Sequence, residues 1–125
     1  MPIHYRLDAG LGRIRTTCIG DVRFEDVIAH FDALEANPRA HGRWDVLLDL
    51  TECATLPTSD QLRGVASRIS ELAGNVRFAR VAIVASRDAL YGMVRVFAVF
   101  AEDYFGPTQV VRTVSEGEAW LDQRV

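Results

Sequence analysis

The chain has 125 residues, 49% of them hydrophobic and 25% charged, with a formal net charge of -3. Such a make-up is expected of one globular domain spanning the whole chain, large enough to bury a core without disulfide or metal staples. Its mild acidity leaves no basic surplus for phosphates, so no nucleic-acid partner is expected. Cys18 and Cys53 are the 2 cysteines, far apart and outside any C-x-x-C arrangement, which argues against a disulfide framework and for a reducing, cytoplasmic setting. The N-terminal MPIHYRLD lacks the basic and apolar regions of a secretory signal. No apolar run reaches the ~18 residues of a membrane span.

Residues 3–8 and 12–19 alternate apolar and polar side chains across the turn Ala9-Gly10-Leu11-Gly12, which predicts an antiparallel hairpin. From Asp21, an expected N-cap, Val27, Ile28, Phe31 and Leu34 recur at helical spacing until Asn37-Pro38. Residues 44–50 then read as a strand. Thr58-x-x-Gln61 predicts a capping box opening a helix with the stripe Leu62, Val65, Ala66, Ile69 and Leu72, ended at Gly74-Asn75. Residues 78–86 form the most continuously apolar strand. A helix over 88–105 follows, then a strand over 108–114, and Ser115-x-x-Glu118 predicts the cap of a last helix carrying Trp120 and Leu121.

This order predicts an α/β fold, with the N-terminal hairpin feeding right-handed crossovers into a mostly parallel five-stranded sheet with four helices. Trp44, Val46, Leu48 and Leu50 share one side of their strand, whereas Asp45 and Asp49 share the other with Leu47. The hairpin divides likewise, with Arg13, Arg15 and Thr17 against Ile14 and Cys18. One sheet face is therefore substantially polar, and the helices are expected mainly on the other.

The element order, Leu47-Leu48-Asp49-Leu50-Thr51, Arg80-Val81-Ala82-Ile83-Val84, Ala89-Leu90-Tyr91-Gly92-Met93 and Glu118-Ala119-Trp120-Leu121 together resemble the SpoIIAA-like proteins. These are small bacterial relatives of the STAS domain (sulfate transporter and anti-sigma factor antagonist), often grouped with the CRAL-TRIO lipid-transfer fold. The resemblance covers nearly the whole chain and implies a SpoIIAA/STAS-like β-α superhelix with helices on one face. STAS antagonists carry a phosphorylatable serine in an Asp-Ser-Ser-Gly segment, which the likeness lays over Pro57-Thr58-Ser59-Asp60. Thr58 or Ser59 would then be a phospho-switch by resemblance, while the residues themselves also read Thr58 as a plain N-cap.

Ligands of open α/β sheets sit beyond the carboxyl ends of the parallel strands, which gathers Asp49, Thr51, Ser59, Asp60, Ser86, Arg87 and Asp88 as a candidate site for a small anion or an acidic partner. The same residues also suit ordinary caps and local ion pairs. His4, His30 and His41 have no metal-like spacing and read as surface or packing residues. No catalytic motif is present, Cys18 and Cys53 read as packed thiols, and neither an enzyme nor a cofactor is expected.

The helix over 88–105 is the most unusual stretch. Its apolar side chains, Leu90, Tyr91, Met93, Val94, Phe97 and Phe105 among them, fill an arc of roughly 220°, wider than a sheet-packed helix needs. Arg95, Glu102 and Asp103 share the narrow remainder with Gly92 and Val99. The excess could serve a protein interface, most simply a homodimer. It could instead roof a pocket for a small apolar ligand or lipid, with Gly92 admitting close approach. Or it could be covered within the fold by flanking helices and the Trp120 segment. A binding or regulatory module is the leading expectation, with an apolar-ligand carrier as the alternative.

Overall fold

In a computed structural model, which describes residues 2–102 and 106–123, the N-terminal strand patterns form the expected hairpin. Strand β1 (Ile3–Asp8) pairs antiparallel with β2 (Arg13–Gly20), placing Ile3 opposite Cys18 and Asp8 opposite Arg13. Gly12 closes the turn at a φ of 63°, a left-handed value that costs a glycine little. Strands β3 (Gly42–Cys53), β4 (Val76–Val84) and β5 (Thr108–Val111) add in parallel, giving the sheet order β1-β2-β3-β4-β5. The helices are α1 (Phe24–Ala36), α2 (Ser59–Leu72), α3 (Asp88–Ala101) and α4 (Val114–Asp122), with a short 3-10 turn at Pro38–Ala40. The sheet and helices thus form the α/β arrangement that the element order predicts, in the form that the SpoIIAA-like resemblance implies.

The helix starts show where sequence signals held and where neighbours displaced them. At α2 the Thr58 hydroxyl accepts from Gln61 N–H at 3.1 Å while the Gln61 side chain accepts from Thr58 N–H at 2.9 Å, as expected of the capping box. Helix α1 begins at Phe24 rather than after Asp21, because Asp26 reaches back to accept the Arg23 N–H at 2.9 Å. Helix α4 is capped by Thr113, whose hydroxyl accepts from Glu116 N–H at 3.2 Å. Ser115 and Glu118 are inside that helix, which frees Glu118 to face the sheet. Thr58→Ala should cost about 1 kcal/mol, measured as a shift of the urea unfolding midpoint at unchanged m-value.

Helices α1, α2 and α3 cover one sheet face, where Ile14, Val46, Ile83, Leu34, Leu72 and Leu90 are buried. Helix α4 alone takes the other, packing Leu121 on Leu47, Ala82 and Val84 with Trp120 beside them. The expectation that the Trp120 segment helps cover α3 is therefore corrected: the sheet stands between them. A Cβ on Gly117 would lie 2.7 Å from Leu47 Cδ1, so glycine is what lets α4 approach this closely. Arg80 stacks its guanidinium 4.2 Å from the Trp120 ring centre and donates to the Trp120 carbonyl at 2.9 Å.

The polar side of the hairpin is used here. Arg13 is fully buried, and its guanidinium meets Asp122 at 2.9 Å and Glu118 at 3.4 Å. Arg15 donates through both terminal nitrogens to Glu118, and that carboxylate raises its pKa by accepting the hydrogen bond. Two arginines at i and i+2 on β2 thus hold Glu118, one turn from Asp122, on α4. On the opposite face, Arg68 of α2 bridges Asp32 at 2.8 Å and Glu35 at 2.9 Å, tying α1 to α2.

Candidate functional site

Between the sheet and α1, α2 and α3 lies a cavity of about 460 Å³. Its floor is the inward side of the strands, including Ile14, Thr16, Cys18, Val46, Leu48 and Ile83. Its roof comes from Val27, His30 and Phe31 of α1, Leu62 and Val65 of α2, and Leu90, Val94 and Phe97 of α3. The strand alternation and the helical stripes create these apolar faces, which meet in one core cluster around the cavity. Cavities of about 300 to 1,000 Å³ with apolar walls and few polar groups are the usual form of small-molecule sites.

The cavity reaches the surface at the carboxyl ends of β2 and β3. Asp21, Arg23 and Glu25 are exposed there, and Leu56, in the segment between β3 and α2, is 51% exposed. Phe24 also lines this end, with its ring against Gly64: a Cβ at Gly64 would lie 2.8 Å from Phe24 Cζ. The bare helix surface at Gly64 therefore seats the Phe24 ring at the mouth.

Burial holds Cys18 and His30 of the inner wall in their neutral forms. Burial pushes the Cys18 thiol up to about 12, assisted by Cys53 and Asp49. Burial lowers His30 to about 4, and its ring stacks edge-on to Tyr5 at 5.5 Å and against Phe31 at 5.4 Å. The unfolded chain takes up the His30 proton near pH 6.5, the folded one only near pH 4, so between these values the unfolded state binds more protons. His30 thus contributes stability that is complete above pH 6.5 and lost as the pH falls towards 4, on the order of 2 kcal/mol. Urea unfolding at pH 4.5 and pH 7 should show this loss, and His30→Phe should reduce it; an unchanged pH dependence in the variant would contradict the assignment.

The candidate residues divide between the cavity and the surface. Leu90, Val94 and Phe97 are buried and line the cavity, while Tyr91 and Met93 are half-buried against the same core. Phe105 lies outside the described residues. Gly92 faces open space, so it admits nothing into the cavity, contrary to the expectation for it. Among the described residues of α3, Asp88, Ala89, Gly92, Arg95, Val96 and Val99 are exposed, Val96 at 57% and Val99 at 77%.

The polar candidates have local partners. Asp49 accepts from the Thr51 hydroxyl at 2.7 Å, and Asp60 pairs with Arg63 at 3.2 Å. Arg87 donates to the Cys53 carbonyl at 2.7 Å. Arg112 reaches both the Ser86 carbonyl and Asp88, at 3.2 and 2.7 Å. Thr58 and Ser59 are exposed at the start of α2. Among the described residues no group of three His, Cys, Asp or Glu side chains could hold a metal ion, and no helix is long and apolar enough to cross a membrane.

Thr16 and His30 had not stood out as site residues. The signal for Thr16 is its place between Ile14 and Cys18, a hydroxyl on the apolar side of the strand. His30 carried no comparable signal, since helical spacing alone places it on neither face with certainty of depth.

These features define an α/β domain of SpoIIAA-like fold built around a hollow apolar core. Two solved structures share the fold. One is an uncharacterised DUF3478-family protein with a SpoIIAA-like fold from Shewanella loihica PV-4, with a TM-score of 0.66 and 18% identity, covering 95% of this chain and 93% of that one. The other is an anti-sigma factor antagonist from Mycobacterium paratuberculosis, with a TM-score of 0.57 and 14% identity, covering 97% and 95%. No protein-family model matches the sequence, and no curated protein matches it.

Proposed function

We propose that this domain is a non-enzymatic binding module that takes a small apolar ligand into the cavity between its sheet and α1, α2 and α3. The carrying observation is the cavity's size against its wall chemistry. At about 24 cal/mol per Å³, an empty void of this volume would cost on the order of 10 kcal/mol, an upper figure because the mouth opens to solvent. That is the scale of a whole domain's stability, about 5 to 15 kcal/mol. Water is a poor filler, because buried waters need 2 to 4 polar partners each, roughly, and the walls are largely apolar. An apolar guest offsets the deficit. Native mass spectrometry of the purified protein should find one small apolar molecule per chain, or uptake of one added N-phenyl-1-naphthylamine. A protein that carries neither would refute the reading.

A second reading rests on the outer stripe of α3. Val96 and Val99 are exposed there on successive turns, and one protein of the same fold is an anti-sigma factor antagonist. Both favour a regulatory module contacting a protein, a second copy of this chain being the simplest. Thr58 and Ser59 are the residues that the STAS likeness would make its phospho-switch. Sedimentation should then report a dimer that Val96→Glu or Val99→Glu dissociates; a wild-type monomer would remove the homodimer.

A further inference from the structure

Resting on the carrier reading, we infer that the ligand is uncharged and carries a hydroxyl or carbonyl group, bound at a polar corner of the cavity made by Thr16 and His30. The charged side chains on the cavity lining are Asp21, Arg23 and Glu25, all exposed at the mouth. No charged residue of the lining is buried. A carboxylate or ammonium drawn inside would therefore lose its water with no counter-charge, which low-dielectric surroundings penalise heavily. At the mouth, two carboxylates against one guanidinium give an anionic head no advantage either.

Uncharged polar groups, by contrast, find partners inside. Thr16 is 4% exposed and makes no side-chain hydrogen bond with any described residue. Thr16 lines the cavity, where its hydroxyl can bond a polar group of a guest. Thr16 stands directly opposite Tyr5 in the hairpin register, hence on the same sheet face, and the Tyr5 ring is 5.5 Å from that of His30. The Tyr5 hydroxyl accepts from Asn37 Nδ2 at 3.0 Å, and Tyr5 is not part of the cavity lining. The Thr16 hydroxyl and the neutral His30 imidazole, each able to donate and to accept, both line an otherwise largely apolar space.

The test is displacement of N-phenyl-1-naphthylamine by 1-decanol, decanoate and decylamine at pH 7. Decanol should bind at least about tenfold more tightly than either charged analogue. Thr16→Val, which keeps the shape, should weaken decanol roughly fivefold while leaving the probe's own affinity unchanged. His30→Phe serves as a second variant with the same expected selectivity. A charged analogue that matches decanol, or variants that leave decanol binding intact, would overturn this inference and leave the carrier reading standing. Failure of the probe itself to bind would overturn the carrier reading, and this inference with it.

Discussion

Glutamine in place of Glu118 should destabilise the protein by about 3 kcal/mol, the lower end of what removing one partner from a buried ion pair costs. Arg13 is fully buried, the Arg15 side chain is 21% exposed, and Glu118 is the carboxylate both of them meet. The amide cannot balance either charge, which leaves Arg13 to Asp122 and Arg15 to the more distant Asp8. The expected drop in Tm is roughly 10 °C. Asp60→Asn is the internal control: in the Asp60–Arg63 pair the side chains are 93% and 73% exposed, so its loss should cost below about 1 kcal/mol. Thermal unfolding of the two variants decides the matter, and equal effects would contradict the burial argument. The arginine pair also accounts for how α4 is held on its side of the sheet, which leaves the other side to the cavity.

Val94→Trp should weaken uptake of an apolar guest while changing stability little. In a close-packed core so large a side chain would force off-rotamer neighbours and typically cost about 1 to 3 kcal/mol. Val94 instead lines an open volume of about 460 Å³, where the indole has room and buries its own apolar surface. Urea unfolding alongside a binding titration separates the outcomes. Leu62→Trp, projecting from α2 into the same space, gives an independent second variant. Large destabilisation by both would mean that the space is not there; full binding in both would mean that the guest sits elsewhere.

Most of the architecture was legible in the sequence because it rests on local periodicity. Thr58 and Gln61 declared the start of α2, and the Leu62, Ala66, Ile69 and Leu72 stripe declared its buried face. The division of β3 into Trp44, Val46, Leu48 and Leu50 against Asp45 and Asp49 foretold a sheet with most helices on one side. Two things were less legible. The side taken by α4 depends on pairings distant in the chain, Arg13 and Arg15 with Glu118 and Asp122; Leu47 among aspartates was the visible trace of it. The cavity depends on the spacing between layers. Leu90, Val94 and Phe97 look the same in a pattern whether they interdigitate with the sheet or roof a void over it.

The breadth of the apolar arc on α3 has a corresponding resolution. Among the described residues, Leu90, Val94 and Phe97 point inward onto the cavity roof and the adjoining core, while Val96 and Val99 are exposed.

The most direct measurement is a fluorescence titration of the protein with N-phenyl-1-naphthylamine at pH 7, run in parallel on Val94→Trp. A hollow, accessible core predicts saturable, blue-shifted enhancement at one probe per chain, weakened in the variant. No saturable enhancement, or the same enhancement in both proteins, would contradict it.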